Sequence, residues 1–210
     1  MDPGQLHVFL EWARSDRLFP LWRTLGFTGL RRGEALGLQW RDLRFQDRLL
    51  AVRRALITAG TSTYLTAPKS SQSRVIDLEE ETVEVLKAHR EESKNLRPES
   101  NPDDFVFTDR NGAPVVPNLI TRQFRGLVCA SPVPRIRFHD LRHTHASHLL
   151  ESGASISSVQ ERLGHSDVVV TLNLYSHVLP GSQRLAVDRL ESFYDNWGSS
   201  MDRESSSRLN

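Results

Sequence analysis

Cysteine is almost missing from this chain: Cys129 is the only one among 210 residues. A single thiol excludes an intramolecular disulfide and any zinc site built from several cysteines, and it fits a reducing cytoplasm. Its neighbours, Leu127-Val128-Cys129-Ala130, are apolar, so it is expected to pack as a small hydrophobe. Long hydrophobic runs are missing too. None approaches the roughly 18 apolar residues that a membrane-spanning helix needs. The start, Met1-Asp2-Pro3-Gly4-Gln5, has no basic stretch leading into an apolar one, so no secretory signal is expected there. An excess of charge is absent as well. The formal net charge is +1, so bulk electrostatics does not announce a nucleic-acid binder. Local pairs count for more: Arg31-Arg32, Arg53-Arg54 and Arg135-x-Arg137 could each face a phosphate backbone.

A hydrophobic fraction of 38% and a charged fraction of 25% are those of a globular chain with one good core. Helical spacing of Leu6, Phe9, Leu10 and Ala13 predicts a helix over 3–14, and a second runs from Leu18 to Leu25. A third short helix is expected at Glu34–Leu38. Between Leu43 and Leu78 the pattern changes to short strands at 49–52, 55–58 with 64–65, and 74–78, read as one small antiparallel sheet. Helices follow at 79–95, 118–128, 139–150, 156–163, 168–175 and 182–193, with Gly153 and Gly164 as stops. The fold class is therefore α+β, mainly α with a small antiparallel β-sheet. The domain is expected over 1–197, with a polar tail of low order over 198–210.

The densest chemistry is Phe138-His139-Asp140-Leu141-Arg142-His143-Thr144-His145. His139 and Arg142, three apart on one helix face, could make a phosphate cradle at a helix start, where backbone N–H groups favour an anion. The rival on this helix is a metal, with His145 and His148 on one face. Against it stand Arg142, which would repel a cation, and the lack of a carboxylate or cysteine at a suitable spacing. Lys69 beside Ser70-Ser71-Gln72-Ser73 is an ordinary turn lysine unless a leaving oxygen needs its proton. Tyr175 is an ordinary half-buried tyrosine unless its phenol attacks.

Taken together, Thr28-Gly29-Leu30-Arg31-x-x-Glu34, Lys69 before the last strand, His139-x-x-Arg142, Leu163-Gly164-His165 and Tyr175 resemble the catalytic domain of a tyrosine recombinase of the phage-integrase type. The resemblance spans about residues 5–195. It implies that Arg31, His139, Arg142 and His165 bind the scissile phosphate, that Lys69 is the general acid and that Tyr175 is the nucleophile. Glu34 would buttress the arginine loop. It also implies double-stranded DNA as partner, a synaptic tetramer on DNA, and neither metal nor other cofactor. The family's N-terminal core-binding half has no counterpart here, so the isolated chain is expected to be monomeric, with its last helix folded back in cis. A type IB topoisomerase, a catalytically silent DNA-binding module and a histidine-metal hydrolase are the rivals.

Overall fold

The computed structural model describes residues 1–59, 62–68, 73–99 and 101–164, together with 187, 188, 190–192 and 194. Helix α1 (Pro3–Trp12) starts where its sequence tells it to. The Asp2 carboxylate accepts the Gln5 N–H at 2.8 Å, Gln5 reaches back to the Asp2 N–H at 3.0 Å, and Pro3 fills the first turn. A 3₁₀ turn (Ala13–Ser15) leads to Asp16, whose carboxylate accepts from Leu18 N–H and from Trp22 Nε1. This anchors α2 (Phe19–Thr28). That helix ends at Gly29 with φ 64°, a left-handed cap that glycine adopts without a Cβ penalty.

The next helix, α3 (Arg32–Leu36), lies two residues earlier than its apolar spacing suggested. Arg31 is its N-cap, and Leu38 has already left it to accept a backbone bond from Val106. The expected single sheet is in fact two. β1 (Leu43–Arg44), β2 (Leu49–Val52) and β5 (Arg74–Asp77) form an antiparallel sheet in the order β1-β2-β5, while β3 (Ala55–Ala59) and β4 (Ser62–Thr66) pair only with each other. Arg53 and Arg54 separate the two. Arg54 Nη1 is fixed at 2.5 Å from the buried Asp42 carboxylate. Thus one member of this arginine pair is committed to the fold rather than offered to a phosphate.

Helices α4 (Glu80–Leu96), α5 (Pro117–Ala130), α6 (Asp140–Glu151) and α7 (Ile156–Leu163) complete the described fold. On α5, Ile120, Phe124 and Val128 recur every four residues and are buried. Cys129 comes one residue, about 100°, further round and is exposed, contrary to the packing expected of it. The apolar stretch around it is apolar in sequence only. Phe124 meets Phe9, Trp22 and Phe138 at ring distances of 5.5, 5.6 and 5.2 Å, so the residue just before His139 is nailed into the main core. Residues 187, 188, 190–192 and 194 are helical, within and just past the expected 182–193 helix, and Leu190 is exposed. The rest of that helix, and the expected 168–175 helix, lie outside the described residues. Among the described residues no helix is long and apolar enough to cross a membrane.

Candidate active site

The site forms where the α2–α3 turn, β5, α6 and the end of α7 converge. Gly29 is required there twice over. Its φ is positive, and a Cβ would come within 2.6 Å of Leu163 Cδ2 and 2.7 Å of His145 Cδ2. Its carbonyl accepts Arg142 Nη1 at 2.6 Å. The other fork of Arg142, Nη2, donates to the Leu163 carbonyl at 2.6 Å, and the residue is only 4% exposed. Two loops therefore grip one guanidinium in a fixed plane. Arg31, on the next turn, donates Nη2 to the Gly164 carbonyl at 3.0 Å. The two arginines expected at a phosphate site thus rest on adjacent carbonyls, and they come from positions 111 residues apart in the chain.

Glu34 sits beneath them at 1% exposure. Its carboxylate accepts the Arg31 main-chain N–H and Nη1, each at 2.9 Å, so the buttressing role read from the sequence is the one the geometry gives it. It also accepts both terminal nitrogens of Arg74, at 3.1 and 2.7 Å. Burial alone would raise the Glu34 pKa. Hydrogen bonding and charge from Arg74, with help from Arg31, outweigh it and hold the group below the usual carboxylate range. Three guanidinium groups around one carboxylate leave the cluster cationic. Arg142 feels this: burial first, then the charges of Arg31 and Arg74, push its pKa down to about 9, with Glu34 pulling the other way. It remains a cation at neutral pH, and an incoming anion relieves the repulsion.

His139 is the N-cap of α6 and is exposed, with its ring edge-on to His143 at 5.0 Å. Partial withdrawal from solvent, then His143 and the charge of Arg142, lower its pKa below the ordinary histidine value. It is therefore predominantly neutral near pH 7. The anion-binding helix start proposed for this point needs correction. The N–H groups of Asp140, Leu141 and Arg142 already donate to the carbonyls of Arg137, Phe138 and His139 in tight turns. Any anion bound here would have to be held by side chains, not by these helix amides.

The histidine-metal alternative fails on the same helix. The His145 Nε2 accepts Arg162 Nε–H at 3.0 Å, which commits its lone pair, and the ring is 7% exposed. Burial, reinforced by the charge of Arg162, pushes its pKa down to about 3. The His148 Nε2 lies 3.1 Å from the Met1 carbonyl. Among the described residues no group of three or more His, Cys, Asp or Glu side chains could hold a metal ion.

Of the six residues singled out in the sequence, the structure unites Arg31 and Arg142 and sets His139 one turn before Arg142. Lys69, His165 and Tyr175 lie outside the described residues. Arg74, Arg162 and His145 were not among the six. A signal for Arg74 was present: strand alternation puts it on the same face of β5 as buried Ile76, where a cation must find a partner. Arg162 had a similar one, lying three residues after buried Val159 and directly before buried Leu163.

The arrangement has known counterparts. Residues 15–181 match the family model described as the phage integrase family. A XerC-like tyrosine recombinase of Caldanaerobacter subterraneus subsp. tengcongensis is 30% identical over 201 residues, which is 88% of this chain and 51% of the relative. The ICEBs1 integrase of Bacillus subtilis is 29% identical over 199 residues, covering 90% of this chain and 53% of that one. The chain thus spans about half the length of the curated relatives it matches. Among solved structures, the Tn1549 transposon integrase in complex with a circular intermediate DNA superposes with a TM-score of 0.78 at 27% identity, over 90% of this chain and 65% of that one. A family match over most of the chain, residues 15–181, makes this protein a member of the phage integrase family of tyrosine recombinases.

Proposed function

We propose that this chain breaks and rejoins DNA strands in site-specific recombination, through a covalent 3′-phosphotyrosyl intermediate. The observation that carries this is the pair of guanidinium groups, Arg31 and Arg142, held on the adjacent carbonyls of Gly164 and Leu163. A fixed cationic fork suits the charge that grows on non-bridging oxygens when phosphorus becomes pentacoordinate. Chain order supports it: His165 follows Gly164 directly, and Tyr175 comes ten residues later. The Tn1549 integrase, whose DNA complexes share this fold, lends the substrate class by likeness.

In this reading the Tyr175 oxygen attacks phosphorus and the bond to the 5′-oxygen breaks. Lys69 supplies the proton to that leaving oxygen, and neutral His139 would take the phenolic one. His165 adds a donor to the phosphate. The ester energy stays in the phosphotyrosyl bond, so a 5′-hydroxyl of another strand reverses the step without ATP. Arginine charge serves where other phosphoryl-transfer sites use a divalent ion. Protomers would meet as a tetramer on DNA and be monomeric off it, in the reducing cytoplasm.

The test is covalent capture. Duplexes with a randomised centre and a single nick trap the intermediate, because the short 5′ end diffuses away. The protein should form a denaturant-resistant adduct, equally in excess EDTA, on a sequence recoverable from the captured pool. Tyr175→Phe should abolish the adduct while leaving DNA binding and folding nearly unchanged, since one hydroxyl is lost. A Phe variant that still becomes linked to DNA, or capture that requires added Mg²⁺ or Zn²⁺, would overturn the mechanism.

A further inference from the structure

Arg74 lies behind the site and has no place in the chemistry just described. All its donor groups are nevertheless engaged with residues that do. Nη1 and Nη2 donate to the two oxygens of Glu34, and Nε donates to the Arg162 carbonyl at 2.9 Å. The last carbonyls of a helix have no partners within it. At the end of α7 three successive carbonyls, of Arg162, Leu163 and Gly164, are each taken by a different arginine: Arg74 from β5, Arg142 from α6 and Arg31 from the cap of α3. Gly164 closes on this clamp so tightly, at φ 63°, that a Cβ would come within 2.9 Å of Arg74 Nη1.

We propose that Arg74 is a positioning residue: it orients Glu34, and through it Arg31, and it locks the end of α7 from which the chain runs into His165. The phosphate fork is thereby set before DNA arrives. This rests on the recombinase function proposed above, since the scissile phosphate is the fork's ligand. Lysine cannot replace it. One ammonium group does not span two carboxylate oxygens and a carbonyl in a plane, so charge without geometry should fail. Preorganisation of this kind acts on the chemical step more than on binding, because DNA affinity is spread over many phosphate contacts.

Two measurements on the full chain test it, using Arg74→Lys and Arg74→Met, with Arg74→Lys carrying the test should the Met variant fail to fold. In nitrogen-15 spectra the Arg31 Nη–H signal, from the atoms held by Glu34 and Gly164 and assigned with Arg31→Lys, should exchange slowly with water in the parent and broaden in both variants. Inorganic sulfate should shift it more weakly in the variants. On the captured duplex the rate of adduct formation should fall roughly 10–100-fold. Its end-point and the DNA Kd should change by no more than about two- to threefold, as expected where a removed interaction acts mainly on the transition state. Leu86→Ala, in the core away from the site, serves as the destabilised control. An unaltered Arg31 signal, or a control that slows the reaction as much as Arg74→Lys does, overturns the proposal. If the parent itself makes no adduct, the recombinase function fails while the spectra still decide what Arg74 does to Arg31.

Discussion

Two parts of this molecule are held by opposite means. From α1 to the first turn of α6, where Leu141 belongs to it, the chain is bound by a continuous apolar core, with Phe9, Leu21, Trp22, Leu36, Leu50 and Phe124 almost fully buried. Around α6 and α7 the separate apolar cluster is small, with Ala146, Leu150, Val159 and Leu163 as its buried members. Guanidinium–carbonyl bonds take over there: Arg142, Arg31 and Arg74 hold the end of α7, and Arg162 reaches back to the carbonyls of Phe27 and Asp77 at 3.0 Å each. Apolar burial is non-directional and supplies stability. Charge-assisted hydrogen bonds supply direction, and direction is what a phosphate cradle needs. The division puts the arginine cluster, and with it the proposed chemistry, on the seam that stability alone would leave loosest.

The sharpest way to break this comparison is to remove a guanidinium. Arg31→Ala or Arg142→Ala should slow adduct formation by about 10²–10³-fold in single turnover, since in the proposed mechanism each would donate to the developing charge. The two should then part company in stability. Arg142→Ala strands the Gly29 and Leu163 carbonyls in the interior, at about 1–3 kcal/mol for each group left without a donor. Arg31 is partly exposed, and its loss leaves Glu34 still paired with Arg74, so urea midpoints should fall less. Equal destabilisation would mean that the seam is not built as described.

A second contrast sets one core against the other. Trp22→Ala opens a cavity in the main cluster and should cost about 3–5 kcal/mol, while Leu163→Ala should cost about 2–5 kcal/mol at its smaller site. The difference should show more clearly in where the loss is felt. After Trp22→Ala, amide exchange should quicken through α1–α5 as a unit. After Leu163→Ala it should quicken first in α6 and α7. Uniform acceleration in both variants would make the molecule a single cooperative body and erase the division.

Much of this was legible beforehand, and the failures share a cause. Helices with clear apolar periodicity and caps, such as 156–163 before Gly164, match within a residue or two because local spacing decides them. The motifs around Arg31 and Arg142 picked out two residues that the fold brings onto adjacent carbonyls. What sequence could not supply was partnership across distance. Arg54 looked available for phosphate until Asp42 claimed it. The α6 amides looked free until the 137–139 turn used them. Arg74 and Arg162 were not singled out at all, yet each bonds residues far away in the chain. Cys129 was judged by its sequence neighbours, whereas its helix face settled the matter.

The gentlest test is acid. His145 is buried between α2 and the end of α7 and is faced by Arg162 from α7 and by His148 and Arg142 from its own helix. Burial first, then Arg162, put its folded pKa at about 3 against an ordinary 6.5. A depressed pKa means the unfolded chain binds the proton more readily. The stabilisation is therefore complete above about pH 6.5 and is lost as pH falls toward 3, with a limiting slope of about 1.4 kcal/mol per pH unit. His89 and His139 shift in the same direction, so the parent's slope has several contributors. The carboxylates Glu34 and Glu79 titrate below their usual range and leave the window from pH 6.5 to 5 to the histidines. His145→Gln keeps an acceptor for Arg162 Nε but cannot take up the proton. Its urea midpoint at pH 7 should sit somewhat below the parent's and then decline less between pH 6.5 and 5. Because Leu163 and His145 both pack against Gly29, the parent's α6–α7 amides should also lose protection before the main core does as acid is added. Parallel midpoint curves for the two proteins would show that His145 does not report on the seam.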